Sequence, residues 1–141
     1  MKIAIASDHG GYNLKNEICN YLKDKYEIVD LGTNSTESCD YPVYAKKVVN
    51  AILNDGFDKG ILICGTGIGM AITANRFKGI RAANVSDTFS ARMTRMHNDS
   101  NILTLGERVI GHGLAKDIVD IWLKTEYEGG RHQKRIDMID R

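Results

Sequence analysis

Short apolar runs alternate with stretches of helical periodicity along most of this chain. Ile3 to Ala6 and Ile61 to Cys64 are unbroken apolar runs bounded by glycine or polar turns, the pattern of strands buried on both faces. Each gives way to helical periodicity; after the first, Leu14, Ile18, Tyr21 and Leu22 share one helical face. The strand, turn, helix unit recurs five times. The pattern predicts Lys2–Ser7 then Tyr12–Lys25, Glu27–Leu31 then Pro42–Asp55, Gly60–Cys64 then Thr66–Arg76, Ile80–Ser86 then Thr88–His97, and Ile102–Leu105 then Leu114–Thr125. Pro42 suits the first turn of its helix, where its missing N–H costs nothing. Five such units without a linker predict an α/β fold, a three-layer α/β/α sandwich around a five-stranded parallel, Rossmann-like sheet with right-handed crossovers. The expected strand order is 2-1-3-4-5. The stretch from about residue 126 has another character: Gly129 and Gly130 interrupt it, and Arg131, Lys134 and Arg135 then fall on one face of a short helix. The expectation is one domain, 1–141, ending in a helical tail.

Composition narrows the function classes. A chain of 141 residues can bury on the order of 70% of its unfolded surface without staples. Nineteen basic and eighteen acidic residues, with no long run of either sign, argue against nucleic-acid or membrane partners and for a small ligand. Cys19, Cys39 and Cys64 are odd in number and lack metal-ligand spacing, which fits free thiols in a reducing compartment. The start, MKIAIASDHGG, reads as a first strand rather than a secretion signal, because Asp8 and His9 cut the apolar run short. A cytoplasmic protein is expected.

In open parallel sheets ligands bind beyond the carboxyl ends of the strands. The loops placed there carry the chemistry. The third, Cys64-Gly65-Thr66-Gly67-Ile68-Gly69, sets a thiol at a strand end beside a glycine-dense turn whose N–H groups can converge on an oxyanion. Such donors favour a thiolate, a competent base or nucleophile near neutral pH. The first loop offers Asp8 and His9, next to Cys64 if strands one and three are neighbours; the fifth offers Arg108. A phosphatase loop is excluded, because Met70 stands where Cys-x5-Arg needs arginine. A dinucleotide fingerprint from Gly65 would likewise need glycine at Met70, although Asp87 keeps a non-catalytic nucleotide-binding module as an alternative.

His97 and Asn98 close a helix of about ten residues, roughly 15 Å long, that runs back from the fourth loop. His97 therefore lies far from its own Cys64. Either it simply complements the helix dipole, or it enters a site on another subunit, which predicts a homodimer with shared sites. Arg131 and Arg135, with Arg108 and His9, suit a clamp for phosphate; the alternative is a solvated tail. Tyr41, in the loop before Pro42, is either a packing residue, as Tyr44 and Trp122 are read, or the edge of a pocket, while His112 and His132 read as structural or exposed.

Five stretches together resemble a known family: SDHGGYNLK, DYP at 40–42, GILICGTGIGMAITANRFKGIRAA, HNDSN at 97–101 and EGGRHQKR. The chain is similar from end to end to type B ribose-5-phosphate isomerase, within the wider family that includes the galactose-6-phosphate isomerase subunits. The resemblance implies a cofactor-free aldose–ketose isomerase acting on a sugar phosphate, D-ribose 5-phosphate or a six-carbon relative. It implies that Cys64 moves the proton between C2 and C1 through a cis-enediolate, that Thr66 and His97 assist ring opening, and that Asp8 contacts sugar hydroxyls. By the same resemblance the amides of Gly65, Gly67, Ile68 and Gly69, with Asn98, form the anion hole, and His9, Arg108, Arg131 and Arg135 bind phosphate. No metal is implied, and the sites lie between two subunits of a homodimer, alone or paired as a dimer of dimers.

Overall fold

The structure, a computed structural model, describes residues 1–141. Five strands form one sheet: β1 (Lys2–Ser7), β2 (Glu27–Asp30), β3 (Lys59–Cys64), β4 (Ala82–Asn84) and β5 (Ile102–Gly106), all pairings parallel. Alternate residues of the central strands feed two cores. Ile3, Ile5, Ile61, Ile63, Leu103 and Leu105 pack under α1 (Tyr12–Leu22), α4 (Thr88–Asn98) and α5 (His112–Lys124). Ala4, Ala6, Leu62 and Cys64 pack under α2 (Tyr41–Asn54) and α3 (Ile68–Ala74). The second face is built of smaller residues, and its helix comes closer: a Cβ on Gly60 would meet Val48 Cγ1 at 2.3 Å. The three-layer sandwich follows directly from this period-two division.

The strand order is β2-β1-β3-β5-β4, which corrects the expected 2-1-3-4-5 by exchanging the last two strands. The reason lies in their side chains. Every residue of β5 is buried, whereas the three residues of β4 are partly or largely exposed. The apolar strand takes the interior position and the short, polar-flanked one takes the edge, where burial is not required. Cys64 therefore pairs with Gly106, and the loop after β5 lies directly beside the thiol instead of two strands away.

Other boundaries move by a few residues. α1 ends at Leu22, where the N–H groups of Lys25 and Tyr26 both turn back to the Leu22 carbonyl. α3 begins at Ile68 because its N-cap, Gly67, is left-handed at φ 81°, so Thr66 lies in the loop. Tyr41, expected in a loop, is the first residue of α2. The tail forms α6 (His132–Ile139), which rests on α4. One charged side chain lies fully inside: Lys15 of α1 meets Asp30 at 2.6 Å, and Asp30 also accepts the Gly32 N–H at 2.8 Å. That pairing offsets the cost of enclosing the ammonium and ties β2 to α1. No helix is long and apolar enough to cross a membrane.

Candidate active site

A cleft of about 480 Å³ opens at the carboxyl ends of β1, β3 and β5, lined by Asp8, Tyr41, Cys64, Gly65, Thr66, Ile68, Gly69, Ile72 and Arg108. Cys64, the last residue of β3, is 6% exposed, and that exposed edge faces the cleft. Its sulfur accepts the Gly67 N–H at 3.1 Å. This bond exists because Gly67 turns left-handed; a Cβ there would come within 2.3 Å of Asn84 Oδ1 and 2.9 Å of the Leu105 carbonyl carbon. The Ile68 N–H donates to Thr66 Oγ1 at 3.2 Å. The N–H groups of Gly65, Thr66 and Gly69, all cleft-lining residues, donate to no backbone carbonyl, so a cluster of amides at the start of α3 remains open to an acceptor.

Neighbouring loops hold this turn rigidly. Glu107 donates its N–H to the Cys64 carbonyl and Arg108 to that of Gly65, both at 3.0 Å. Glu107 in turn accepts the Leu14 N–H with its carboxylate, fastening the β5 loop to α1. Arg108 lies across Gly65, where a Cβ would stand 3.3 Å from its Nη1. Asp8 is buried, accepts the Gly10 N–H at 2.9 Å and borders the cleft. His9, next along the chain, accepts the Cys39 N–H on Nδ1 at 3.2 Å. Tyr41 covers Gly69 closely; a Cβ there would meet its ring at 2.6 Å.

A separate cleft of about 440 Å³ lies between the end of α4 and α6, lined by His97, Asn98, Arg131, His132, Arg135, Ile136 and Ile139. Its walls are pinned by arginines. Arg95 bonds Asp99 at 2.9 Å and the Ser100 carbonyl at 2.6 Å, while Arg81 reaches the Asn98 and Asp99 carbonyls, both at 2.9 Å. These bonds satisfy the carbonyls that a helix end leaves open and fix the turn carrying His97. His97 stacks on His132, ring centroids 4.4 Å apart.

The sequence matches the profile of the Ribose/Galactose Isomerase family over residues 3–139. The chain belongs to the ribose/galactose isomerase family. It is 52% identical to ribose-5-phosphate isomerase B of Escherichia coli over 139 residues, covering 98% of this chain and 93% of that one. Its fold is similar to the structure of Clostridium thermocellum ribose-5-phosphate isomerase B, with TM-score 0.98, 56% identity, and 99% and 95% of the two chains covered. The Mycoplasma genitalium ribose-5-phosphate isomerase B structure, which has ribulose-5-phosphate bound, is 45% identical at TM-score 0.94, covering 99% and 94%.

In this isomerase the residues read from sequence divide in two. Asp8, Tyr41, Cys64, Gly65, Thr66, Ile68, Gly69 and Arg108 share the first cleft, with Gly67 bonded to the sulfur and His9 adjoining Asp8. His97, Asn98, Arg131 and Arg135 share the second, which has no residue in common with the first. Asp87, on which the nucleotide alternative rested, caps α4: its carboxylate accepts the Ser90 N–H at 2.6 Å, and that bond lowers its pKa.

Several lining residues were not singled out from sequence. Ile72 belongs to the first cleft, four positions after Ile68 and hence on the same helical face. His132 is buried, as the structural alternative for it requires, and only the docking of α6 reveals that it meets His97. A grouping of potential metal ligands also appears that spacing does not show: His97, Glu128 and His132 bring one ligand atom each within 4.8 Å. Arg131, 3.7 Å from the Glu128 carboxylate, already supplies it with a positive charge.

Proposed function

We propose that this isomerase interconverts D-ribose 5-phosphate and D-ribulose 5-phosphate by proton transfer, with Cys64 as the base. The observation that carries the reading is the Cys64 thiol at the floor of a cleft, beside amide donors that no backbone group uses. In the aldose direction the Cys64 thiolate takes the C2 proton, and the C–H electron pair forms a C1=C2 double bond as charge moves onto O1. The open amides of Gly65, Thr66 and Gly69 meet that charge, joined by those of Gly67 and Ile68 as they turn from Cys64 Sγ and Thr66 Oγ1. Cys64 returns the proton to C1 while the O2 proton passes to O1 as the C2 carbonyl forms, which gives the ketose. An N–H aimed at a developing oxyanion is worth on the order of 3 kcal/mol, and a positioned base about 10²–10⁴-fold.

Thr66 and His97 assist opening of the furanose, Asp8 holds sugar hydroxyls, Asn98 joins the anion hole, and His9, Arg108, Arg131 and Arg135 hold the phosphate. The two clefts are separate on one chain, which supports a homodimer in which His97, Asn98, Arg131 and Arg135 complete the cleft of the opposite subunit. Tyr41 lines the first cleft and packs over Gly69.

The deciding measurement is turnover of purified protein on D-ribose 5-phosphate, allose 6-phosphate and galactose 6-phosphate in the presence of a chelator. Preference for the pentose, with solvent deuterium entering at C2 of the recovered aldose, is expected. Faster turnover of either hexose would reassign the substrate, and product formed with no solvent deuterium would favour direct hydride migration over the Cys64 base.

A further inference from the structure

The histidine stack is the strongest feature that the proposed chemistry leaves unexplained. His132 stands in the first turn of α6, is 6% exposed, and has its Nε2 wholly enclosed without a hydrogen bond. Enclosing an imidazole nitrogen that way is costly, so packing must hold the ring there. Its ring lies nearly parallel to that of His97, at 18° and 4.4 Å between centroids. Glu128 stands 3.5 Å from the enclosed Nε2, and its backbone N–H donates to the Met96 carbonyl at 3.1 Å, tying the segment before α6 to the residue preceding His97. His97 itself is half-buried in the last turn of a helix and makes no side-chain hydrogen bond of its own, so the stack is the contact that sets its ring orientation.

We propose that His132 is a positioning residue for His97: a buried flat platform, steadied by Glu128, that fixes the imidazole plane from which His97 acts. This rests on the reading that His97 opens the sugar ring. A ring-opening acid or base must meet one oxygen at hydrogen-bond distance, and displacement of a catalytic group by about 1 Å can cost 10²-fold. The stack restricts the rotation of His97 that would lose that alignment, and it does so without touching substrate.

His132→Ala and His132→Phe, compared with His97→Asn, test this on two substrates. D-ribose 5-phosphate is mostly cyclic, whereas D-erythrose 4-phosphate has its O4 esterified and cannot close a furanose. In His132→Ala we expect kcat on the pentose to fall about tenfold or more. Its KM, inhibition by inorganic phosphate and turnover of the tetrose should stay within about twofold. His132→Phe, which keeps a flat face, should recover most of the lost kcat. In NMR spectra the His97 ring protons should lose their upfield ring-current shift in His132→Ala and keep one in His132→Phe. Unchanged pentose kcat in His132→Ala, equal loss on both substrates, or phosphate inhibition weakened in step with kcat would each overturn the platform. If His97→Asn slows both substrates equally, the ring-opening reading falls with it; if only His97→Asn is selective, the platform alone falls.

Discussion

Cys64 sits where the end of β3, the Gly67 N–H and a cleft coincide. Replacing it with alanine removes the proposed base and the acceptor of the Gly67 N–H, while the backbone bonds from Glu107 and Arg108 still hold the turn. Steady-state assays of Cys64→Ala should show turnover lower by about 10²–10⁴-fold with KM changed by no more than a few-fold. Retained turnover would reassign the base. Gly67 is a more severe test of the architecture. At φ 81°, with Asn84 Oδ1 only 2.3 Å from where a Cβ would stand, Gly67→Ala must both strain the backbone and push the loop off β5. A loss of about 1–2 kcal/mol from the left-handed conformation alone is expected in denaturant titrations, with activity falling further. Both residues are legible in the sequence, because a glycine-dense turn after an apolar strand has few other physical uses. His132 is not, since its neighbour His97 is reached only across a helix-to-helix contact.

Among the elements, the β3 strand joins the chemistry at one end to an electrostatic cost at the other. Lys59 opens β3, its ammonium 5.2 Å from the Trp122 ring centroid. Burial first, and then the Arg95 guanidinium, lower its pKa from 10.5 to about 8, against smaller opposing effects of Asp99 and Asp58. The folded state therefore binds this proton more weakly than the unfolded chain. Below about pH 8 both states carry the charge and folding bears its full cost; as pH rises from about 8 to 10.5 the folded lysine is neutral first, and stability from this group increases. Lys59→Met should thus raise Tm at pH 7, and its advantage over wild type should shrink as melting curves are taken toward pH 10. A constant difference across that range would show that the proton plays no part. The exchange of β4 and β5 belongs to this scale too: local periodicity locates each strand along the chain, but edge and interior positions depend on which strand buries more, a comparison between distant segments.

For the whole molecule, separation of Cys64 and His97 into two clefts makes a specific demand. If each working site takes Cys64 from one subunit and His97 from the other, two crippled homodimers contain between them all the parts of an intact site. Mixing Cys64→Ala and His97→Asn proteins and allowing subunits to exchange should restore activity to about a quarter of wild type, since half the dimers are mixed and each has one complete site. Activity no greater than the sum of the separate proteins would place each site within one chain. By itself the sequence determined the layered α/β fold, the Cys64 loop, and the separation of His97 from it, because those follow from local periodicity, helix length and the backbone room that glycine provides. Tertiary structure decided the strand order, the covering of Gly69 by Tyr41, and the stack of His132 on His97. Each of these depends on which of several compatible surfaces packs against another, a competition among burial energies that no single segment encodes.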